Sequence, residues 1–363
     1  MENKHLFPYD WRLSDGYPAK GITRHGCKVF GTFVCGGGST MGYKLAGYDH
    51  LGGVELDPKV ADTYQLNHHP RHFYTMDIRD FNRLDNLPSE LYDLDILDGS
   101  PPCSTFSMAG SREKAWGKEK KFAEGQKKQT LDDLVFVYCD TIAKLKPKVC
   151  LLENVAGIVA GNAKAYAREI FNRITSAGYR VQIFKLNAAT MGVPQTRQRV
   201  FFIGLRDDFA TIKPLQLDFG ESPILFGDVM DDSDTTRTLS EYQYRLWRLR
   251  EPADRNFSDI KSRTEGKNSM FNHILQHKTR VSPTYIASSW SSNSLFDIPR
   301  RTNREENRKI ATFPADYDYG GCSQNFICGM SVPPVMTAQI AWQIWRQWLR
   351  YICTERVREG MDV

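Results

Sequence analysis

Three observations predict that most of this chain folds as an α/β domain with a doubly wound, mostly parallel sheet. Short apolar runs alternate with helical patterns between residues 27 and 205, which is typical of parallel strands joined by helices. Two of these runs end in tight turns, one rich in Gly and one with consecutive prolines, as expected where open α/β sheets build their sites. Periodicity weakens over residues 213–299, which predicts a second, smaller domain.

The individual elements follow from the same patterns. Apolar runs predict strands at Lys28–Phe33, Leu51–Glu55, Phe73–Thr75, Leu94–Leu97, Val149–Leu152, Arg180–Leu186 and Val200–Gly204. Helical periodicity predicts helices at Thr40–Leu45, Lys59–Asn67, Leu131–Leu145 and Ala163–Ala177. Regular patterning returns at Thr302–Thr312, and an amphipathic helix that packs on the core is expected over Val335–Tyr351. The large domain is therefore expected to comprise residues 1–212 and 300–363, with 213–299 as the smaller domain.

Composition sets broad limits on function. The 363 residues carry a net charge of +5, which permits a nucleic-acid partner without requiring one. The eight cysteines form no C-x-x-C pair, so we expect reduced thiols, no metal and a cytoplasmic protein. No apolar run approaches the roughly 20 residues that a membrane span needs.

The Pro-Pro turn carries the first candidate for chemistry. Gly99-Ser100-Pro101-Pro102-Cys103 follows an apolar-acidic run, and the two prolines restrict the backbone before the thiol. A rigid turn with one cysteine suits a nucleophile. The alternative is a buried structural cysteine, which would be preferred for an isolated residue.

The Gly-rich turn predicts a cofactor site. Gly36 and Gly38 fit the dinucleotide pattern G-x-G-x-x-G, but Met41 occupies the third glycine position. Glu55 lies where a carboxylate usually accepts from a ribose, Asp77 could accept from an adenine amino group, and Phe33 offers an aromatic face. Alternatively, Glu55 is a solvated loop carboxylate and Asp77 a helix N-cap. Together these residues favour an adenosine-bearing cofactor without a pyrophosphate.

Six segments occur in an order that carries a family resemblance. They are Phe33-x-x-Gly36-Gly37-Gly38, Pro101-Pro102-Cys103-Ser104-x-Phe106-Ser107, Glu153-Asn154-Val155, Gln195-x-Arg197-x-Arg199, Arg301-Thr302-x-x-Glu305 with Phe313-Pro314-x-Asp316-Tyr317, and Gly329-Met330-Ser331-Val332-Pro333-Pro334. Outside residues 213–299 the chain resembles the DNA cytosine-5 methyltransferases of bacteria and phages. It departs from their pattern at Ser104, where Gln is usual, and at Met330, where Asn is usual.

The resemblance implies a Rossmann-like fold that binds S-adenosylmethionine without a metal, together with a target-recognition domain. The cofactor residues it implies are Phe33, Gly36, Gly38, Glu55, Leu56, Asp77, Ile78, Pro101, Ser331 and Val332. The expected partner is double-stranded DNA. We expect a monomer that acts as an orphan methylase or alongside a cognate restriction endonuclease, with no membrane partner.

The catalytic residues expected from this chemistry are Cys103, Glu153, Arg197 and Arg199. Cys103 would add to carbon 6 of cytosine, and Glu153 would bridge ring nitrogen 3 and the exocyclic amine. Arg197 and Arg199 alternate along one predicted strand and so share a face, from which they would hold the base carbonyl, Glu153 or Cys103. The alternatives are a structural strand-end carboxylate for Glu153 and solvated arginines on an edge strand.

Two basic segments suggest contacts with DNA. Residues 111–128 carry seven Lys or Arg against three Glu, so 104–130 is a candidate lid over an extruded base or else a solvated helix. Residues 235–290 carry ten Lys or Arg against five acids, with Tyr242, Tyr244, Trp247 and Trp290 interleaved, which fits target recognition or a plain insertion. Rival functions are RNA cytosine methylation, an inactive DNA-binding relative and a nicotinamide dehydrogenase.

Overall fold

The computed structural model describes residues 5–102, 133–287 and 293–353. The chain forms two compact units, each built from three segments. The sheet unit is drawn from Tyr17–Asn187, Gln198–Asp218 and Thr337–Val363. The smaller unit is drawn from Met1–Gly16, Ala188–Arg197 and Phe219–Met336.

These units divide the chain differently from the predicted domains, because distant segments complete the smaller unit. The indole of Trp11 donates to the carbonyl of Thr312 at 3.0 Å. The carboxylate of Asp316 accepts from the backbone N–H groups of Leu13 at 2.6 Å and Ser14 at 2.9 Å. Residues 300–336 therefore belong with the smaller unit, beyond the expected boundary at residue 299.

The sheet unit contains one seven-stranded sheet. Its strands are β1 (Lys28–Thr32), β2 (Asp49–Glu55), β3 (His72–Thr75), β4 (Ile96–Gly99), β5 (Val149–Val155), β6 (Tyr179–Asn187) and β7 (Gln198–Arg206). The spatial order is β3-β2-β1-β4-β5-β7-β6. Strands β1 to β5 pair in parallel, and β7 is antiparallel to both β5 and β6. The mostly parallel sheet is thus confirmed, with all seven predicted strands present.

Helices cover both faces of this sheet. They are α1 (Gly38–Leu45), α2 (Pro58–His68), α3 (Ile78–Arg83), α4 (Leu134–Leu145) and α5 (Lys164–Ser176). Successive side chains of a strand point to opposite faces, so Leu97 and Asp98 of β4 separate the two helical layers. Leu97 lies in one core cluster with Ile142 of α4, whereas Asp98 accepts from Tyr43 of α1. The sheet is therefore doubly wound.

The smaller unit has short elements around its own core. Its helices are α6 (Phe226–Val229), α7 (Glu241–Trp247), α8 (Phe257–Glu265), α9 (Arg304–Ile310) and α10 (Gln324–Met330). Two-residue strands pair Gln195–Thr196 with Ser282–Pro283 and Leu275–Gln276 with Ser294–Leu295. Leu246, Trp247, Phe257, Ile260 and Leu275 form one buried cluster. The weak periodicity of this region reflects elements too short to show it.

The final helix differs from the expected amphipathic one. Helix α11 (Pro334–Ile344) continues into a π-helical segment, Trp345–Leu349. All residues from Pro334 to Ala341 are buried, so its first part is enclosed on every side instead of on one face. In the described ranges no helix is both long and apolar enough to cross a membrane.

Candidate active site

The candidate site lies at the carboxyl edge of the parallel strands. Strands β1 and β4 are neighbours although they are far apart in sequence, which makes the gap between them a topological switch point where ligands bind in α/β sheets. The Gly-rich turn follows β1, and Pro101 and Pro102 follow β4. Both predicted turns therefore leave the sheet at this edge.

The Gly-rich turn has an unusual backbone that a buried histidine supports. Phe33, Cys35 and Gly37 have positive φ angles of 57°, 46° and 79°. His68 of α2 donates from Nε2 to the carbonyl of Gly36 at 3.1 Å, and burial lowers the pKa of His68 to about 3. A Cβ on Gly37 would lie 2.1 Å from that Nε2, so only glycine fits. The sequence carries no motif that points to His68.

Glu55 ends β2 beneath this turn. Its carboxylate accepts from the backbone N–H of Cys35 at 2.9 Å, Leu56 at 2.9 Å and Asp57 at 3.0 Å. Only 9 % of the residue is exposed, so the solvated-loop interpretation is wrong. Burial raises the pKa of Glu55, and the three N–H groups oppose that shift. A carboxylate has about four acceptor positions, which leaves capacity for a ribose hydroxyl and fits an adenosine-bearing cofactor.

Asp77 precedes α3 and acts as its N-cap. Its Oδ1 accepts from the backbone N–H of Arg79 at 2.8 Å, and its Oδ2 lies 3.2 Å from the Arg79 guanidinium. The helix N-cap interpretation is thus confirmed, while a contact to adenine stays a prediction. Ile78 is buried and packs with Phe33 in one apolar cluster, whereas Leu56 is half-buried.

Glu153 and Arg199 form an ion pair across the antiparallel strands β5 and β7. Arg199 Nε lies 2.8 Å from Glu153 Oε1, with side-chain exposures of 15 % and 11 %. The pairing register, which sets Glu153 opposite Phe201, directs both side chains to the same face as Asp98. The predicted contact between Arg199 and Glu153 is present.

Asn154 connects this pair to the Pro-Pro turn. Its Nδ2 donates to the carbonyl of Pro101 at 3.3 Å, and its Oδ1 accepts from the backbone N–H of Val155 at 2.9 Å. Pro101 and Asn154 are both buried. The turn that leads to Cys103 is therefore fixed to β5. Cys103, Ser104 and the candidate lid 104–130 lie outside the described residues.

The prediction that Arg197 and Arg199 share one face of a strand is wrong. Arg197 lies between the strand Gln195–Thr196 and β7, so it does not share a strand face with Arg199. Its buried guanidinium donates to the carbonyls of Tyr285 at 2.9 Å and of Gly329 and Ser331 at 3.0 Å. Three backbone carbonyls provide an enclosed site for an arginine that alternation alone could not reveal. The solvated-arginine interpretation is wrong for Arg197.

The last predicted cofactor residues lie in the smaller unit. Ser331 and Val332 are each 5 % exposed and follow α10. The Ser331 hydroxyl is buried and has no hydrogen-bond partner among the described residues. Its role toward a cofactor stays a prediction.

Sequence reasoning missed Asp98. This residue is the penultimate one of β4 and lies three positions before Pro101. It is 4 % exposed and accepts a 3.1 Å hydrogen bond from the Tyr43 hydroxyl. Burial raises the pKa of Asp98 to about 7. The signal available in the sequence was an acidic residue at the end of an otherwise apolar strand.

The basic segment of the smaller unit divides into exposed and internal side chains. Tyr242 and Tyr244 are exposed, as are Arg245 and Arg248. Trp247, by contrast, is a core residue whose indole donates to the carbonyl of Leu295 at 2.9 Å. Its predicted role as a groove contact is thus replaced by packing. Trp290 lies outside the described residues.

One group of possible metal ligands lies away from this edge, near the start of β1. Cys27, Asp95 and Cys353 have ligand atoms within 4.8 Å of one another. The two sulfurs are 3.3 Å apart. Asp95, however, already accepts from the backbone N–H of Lys28 and from the Lys148 ammonium, so its carboxylate is committed to structure.

Comparison with known proteins decides the family. The model of the C-5 cytosine-specific DNA methylases matches residues 27–346. This chain belongs to that family. Among curated relatives it is 33 % identical over 183 residues to the Type II methyltransferase M.DdeI of Desulfomicrobium norvegicum, covering 50 % of this chain and 41 % of that protein. It is 25 % identical over 331 residues to the Type II methyltransferase M1.HphI of Haemophilus parahaemolyticus, covering 85 % and 84 %.

Solved structures agree on the fold. A triple variant of Spodoptera frugiperda DNMT2 superposes with a TM-score of 0.61 at 14 % identity, covering 88 % of this chain and 100 % of that one. The Entamoeba histolytica methyltransferase EhMeth gives 0.57 at 13 % identity, covering 89 % and 99 %. The methyltransferase-type fold expected from the sequence is therefore confirmed.

Proposed function

We propose that this protein methylates carbon 5 of cytosine in a specific sequence of double-stranded DNA, with S-adenosylmethionine as the methyl donor. The observation that carries the proposal is the Glu153–Arg199 pair beside the anchored Pro101 carbonyl, on the sheet edge where Glu55 and the Gly-rich turn lie. The reaction needs an acid that contacts the cytosine ring, a cation that holds this acid in place, and a rigid turn that presents the nucleophile. Glu153, Arg199 and the Pro-Pro turn match these three needs.

The proposed chemistry begins with the Cys103 thiolate, whose role is inferred from its motif. It adds to carbon 6 of an extruded cytosine, while Glu153 protonates or bridges ring nitrogen 3 and Arg199 fixes the Glu153 carboxylate. Carbon 5 then has enamine character and takes the methyl group that the sulfonium cofactor supplies. Loss of the carbon 5 proton and expulsion of the Cys103 sulfur complete the reaction.

Cofactor binding is assigned mainly to the sheet unit. Glu55 supplies an acceptor for the ribose, and Gly36, Gly37 and Gly38 allow backbone to approach the ligand. Asp77, Leu56 and Ile78 would surround the adenine, with Phe33 against it. Pro101, Ser331 and Val332 complete the expected set.

Sequence selection is assigned to the smaller unit, particularly the basic segment 235–290. Exposed Arg245 and Arg248 support phosphate binding. We further infer that the protein acts in the bacterial cytoplasm, or is phage-encoded, as a monomer and without a metal. A cognate restriction endonuclease is the expected biological partner, as the Type II names of the relatives suggest.

Methyl transfer to plasmid DNA, mapped by bisulfite sequencing, tests the proposal. We expect methylation at cytosine in one sequence context, loss of activity in Cys103→Ala, and a covalent complex on DNA containing 5-fluorocytosine. Cofactor binding should persist in the Cys103→Ala variant. Equal or greater transfer to tRNA would favour the RNA function instead, and turnover by Cys103→Ala would exclude that residue as the nucleophile.

A further inference from the structure

The buried carboxylate of Asp98 joins two elements of the candidate site. It accepts hydrogen bonds from the side chains of Tyr43, at 3.1 Å, and Ser39. Both donors belong to α1 and are four residues apart, so they lie on one face of that helix. One face of α1 is thus attached to β4 through a single carboxylate.

This attachment lies between the two turns that form the site. Helix α1 begins directly in the Gly-rich turn, and β4 leads into Pro101. Strand β1 is tied to the same place, because Thr32 Oγ1 donates to the Asp98 carbonyl at 3.2 Å. A change in the charge or hydrogen bonding of Asp98 is therefore expected to affect the cofactor turn directly.

No positive charge compensates Asp98 within the described ranges. The titratable groups that influence it electrostatically are Tyr43 of α1, Tyr64 of α2, Glu153 of β5 and, from the other side of the sheet, Tyr138 of α4. Burial raises the pKa of each tyrosine, so all three stay neutral, and Glu153 is itself paired with Arg199. Because burial raises the pKa of Asp98 to about 7, the protonated and ionised forms coexist near neutral pH.

We propose that Asp98 is a positioning residue that makes the Gly-rich turn selective for a positively charged cofactor. In its ionised form the carboxylate accepts hydrogen bonds from Ser39 and Tyr43. Its negative charge also attracts the positively charged sulfonium of the cofactor. This inference rests on the proposed function. S-adenosylmethionine carries the sulfonium, whereas the product S-adenosylhomocysteine is a neutral thioether with the same amino-acid end. Ionised Asp98 would therefore retain the donor and release the product.

Calorimetric titration of both ligands at pH 6 and pH 8 tests the inference. A carboxyl with a pKa near 7 is about one-tenth ionised at pH 6 and about nine-tenths at pH 8, so S-adenosylmethionine should bind up to about tenfold more tightly at pH 8. S-adenosylhomocysteine should show a much smaller change. Both ligands carry an α-amino group, and its contribution to the pH dependence is measured with Asp98→Asn, which removes the carboxylate and leaves the ligands unchanged.

Two variants separate a charge effect from a merely structural one. In Asp98→Asn the extra pH dependence for S-adenosylmethionine should vanish, and the preference over S-adenosylhomocysteine at pH 8 should fall several-fold. Tyr43→Phe keeps the charge but removes one hydrogen bond that favours the carboxylate, so the midpoint of the pH dependence should move upward. If Asp98→Asn does not fold, this shift in Tyr43→Phe remains as the test.

Two results would overturn the inference: an unchanged pH dependence in Asp98→Asn, or equal pH dependence for the two ligands in the wild type. Failure of the proposed function looks different, since neither ligand would then bind to the wild-type protein at either pH.

Discussion

The two units each contain an arginine–glutamate pair, and the pairs differ in how completely they are satisfied. Arg199 and Glu153 of the sheet unit are 15 % and 11 % exposed, and among the described residues Glu153 pairs with no other basic side chain. Arg300 and Glu306 of the smaller unit are 4 % and 0 % exposed. Their two hydrogen bonds, at 2.8 and 2.9 Å, form a bidentate fork.

In the enclosed pair Arg300–Glu306, the other acceptor positions of the Glu306 carboxylate are also occupied. Glu306 accepts from the backbone N–H of Asn303 at 2.9 Å and of Asp231 at 3.2 Å, which starts α9 with a capping box. A carboxylate with every position filled has no capacity for a substrate. Among the described residues, the same two residue types therefore fill every acceptor position of Glu306 in one unit and leave acceptor positions on Glu153 in the other.

The largest expected effect concerns the Glu153–Arg199 pair of the sheet unit. Glu153→Gln should lower the methylation rate by about 10²–10⁴-fold, because the amide cannot take part in proton transfer to ring nitrogen 3. The amide oxygen can still accept from Arg199, so the melting temperature and cofactor affinity should stay close to wild type. Transfer of labelled methyl groups to duplex DNA measures the rate. A rate within threefold of wild type would remove Glu153 from the catalytic assignment.

The enclosed pair should instead control stability. Arg300→Met leaves the Glu306 carboxylate buried without its cation and should cost about 3–5 kcal/mol of unfolding free energy. The double variant Arg300→Met with Glu306→Met should recover part of that stability, since both charges are then gone. Urea unfolding measures both. A single-variant cost below about 1 kcal/mol would show that the pair contributes as little as a surface pair.

Local patterns were sufficient to predict most of the sheet unit. Apolar runs predict β1 to β7 without tertiary information, and periodicity predicts four of the five helices that cover the sheet. Helix α3 (Ile78–Arg83) was not predicted, because six residues are too few to show a helical period. The structure adds a cap that the prediction did not use: Asp57 accepts from the N–H groups of Lys59 and Val60 at the start of α2. The boundaries of the smaller unit were not predictable in this way, because Trp11 and Asp316 join segments about 300 residues apart.

The candidate site shows the same division. Glu55 ends β2 and Glu153 lies two residues before the end of β5, so their placement follows from sequence order and sheet geometry. Arg197 was misassigned because its partners, the carbonyls of Tyr285 and Ser331, are contributed by distant loops. Asp98 was overlooked because nothing local shows that its carboxylate lacks a cation. Sequence spacing predicts the strand or turn on which a residue lies, whereas the hydrogen-bond partners of its side chain depend on the tertiary fold.

A third effect distinguishes two acids that are neighbours in sequence. Glu55→Ala removes a charge-assisted hydrogen bond and should weaken S-adenosylmethionine binding by ~1.5–3 kcal/mol, roughly tenfold or more. Asp57→Ala removes the cap of α2 and should cost about 1 kcal/mol of stability with little change in affinity. Calorimetry and thermal unfolding measure the two quantities. Unchanged affinity in Glu55→Ala would move the ribose contact elsewhere.

The smallest expected effect compares two arginines of the basic segment. Arg248 is exposed, whereas Arg250 donates to the carbonyls of Phe296 at 2.6 Å and Trp247 at 2.9 Å and lies 3.4 Å from the Trp247 ring. Arg248→Gln should weaken binding to all duplex sequences and flatten the slope of log affinity against log salt by about 0.9 for each phosphate that is no longer neutralised.

The control is Arg250→Gln, which should mainly lower the melting temperature, because the Arg250 guanidinium already donates hydrogen bonds within the smaller unit. Fluorescence anisotropy with duplex DNA at several salt concentrations measures the slope. If Arg250→Gln flattened the slope and Arg248→Gln did not, an arginine held inside the unit would be the one that binds DNA, and exposure would no longer distinguish binding from structural arginines here.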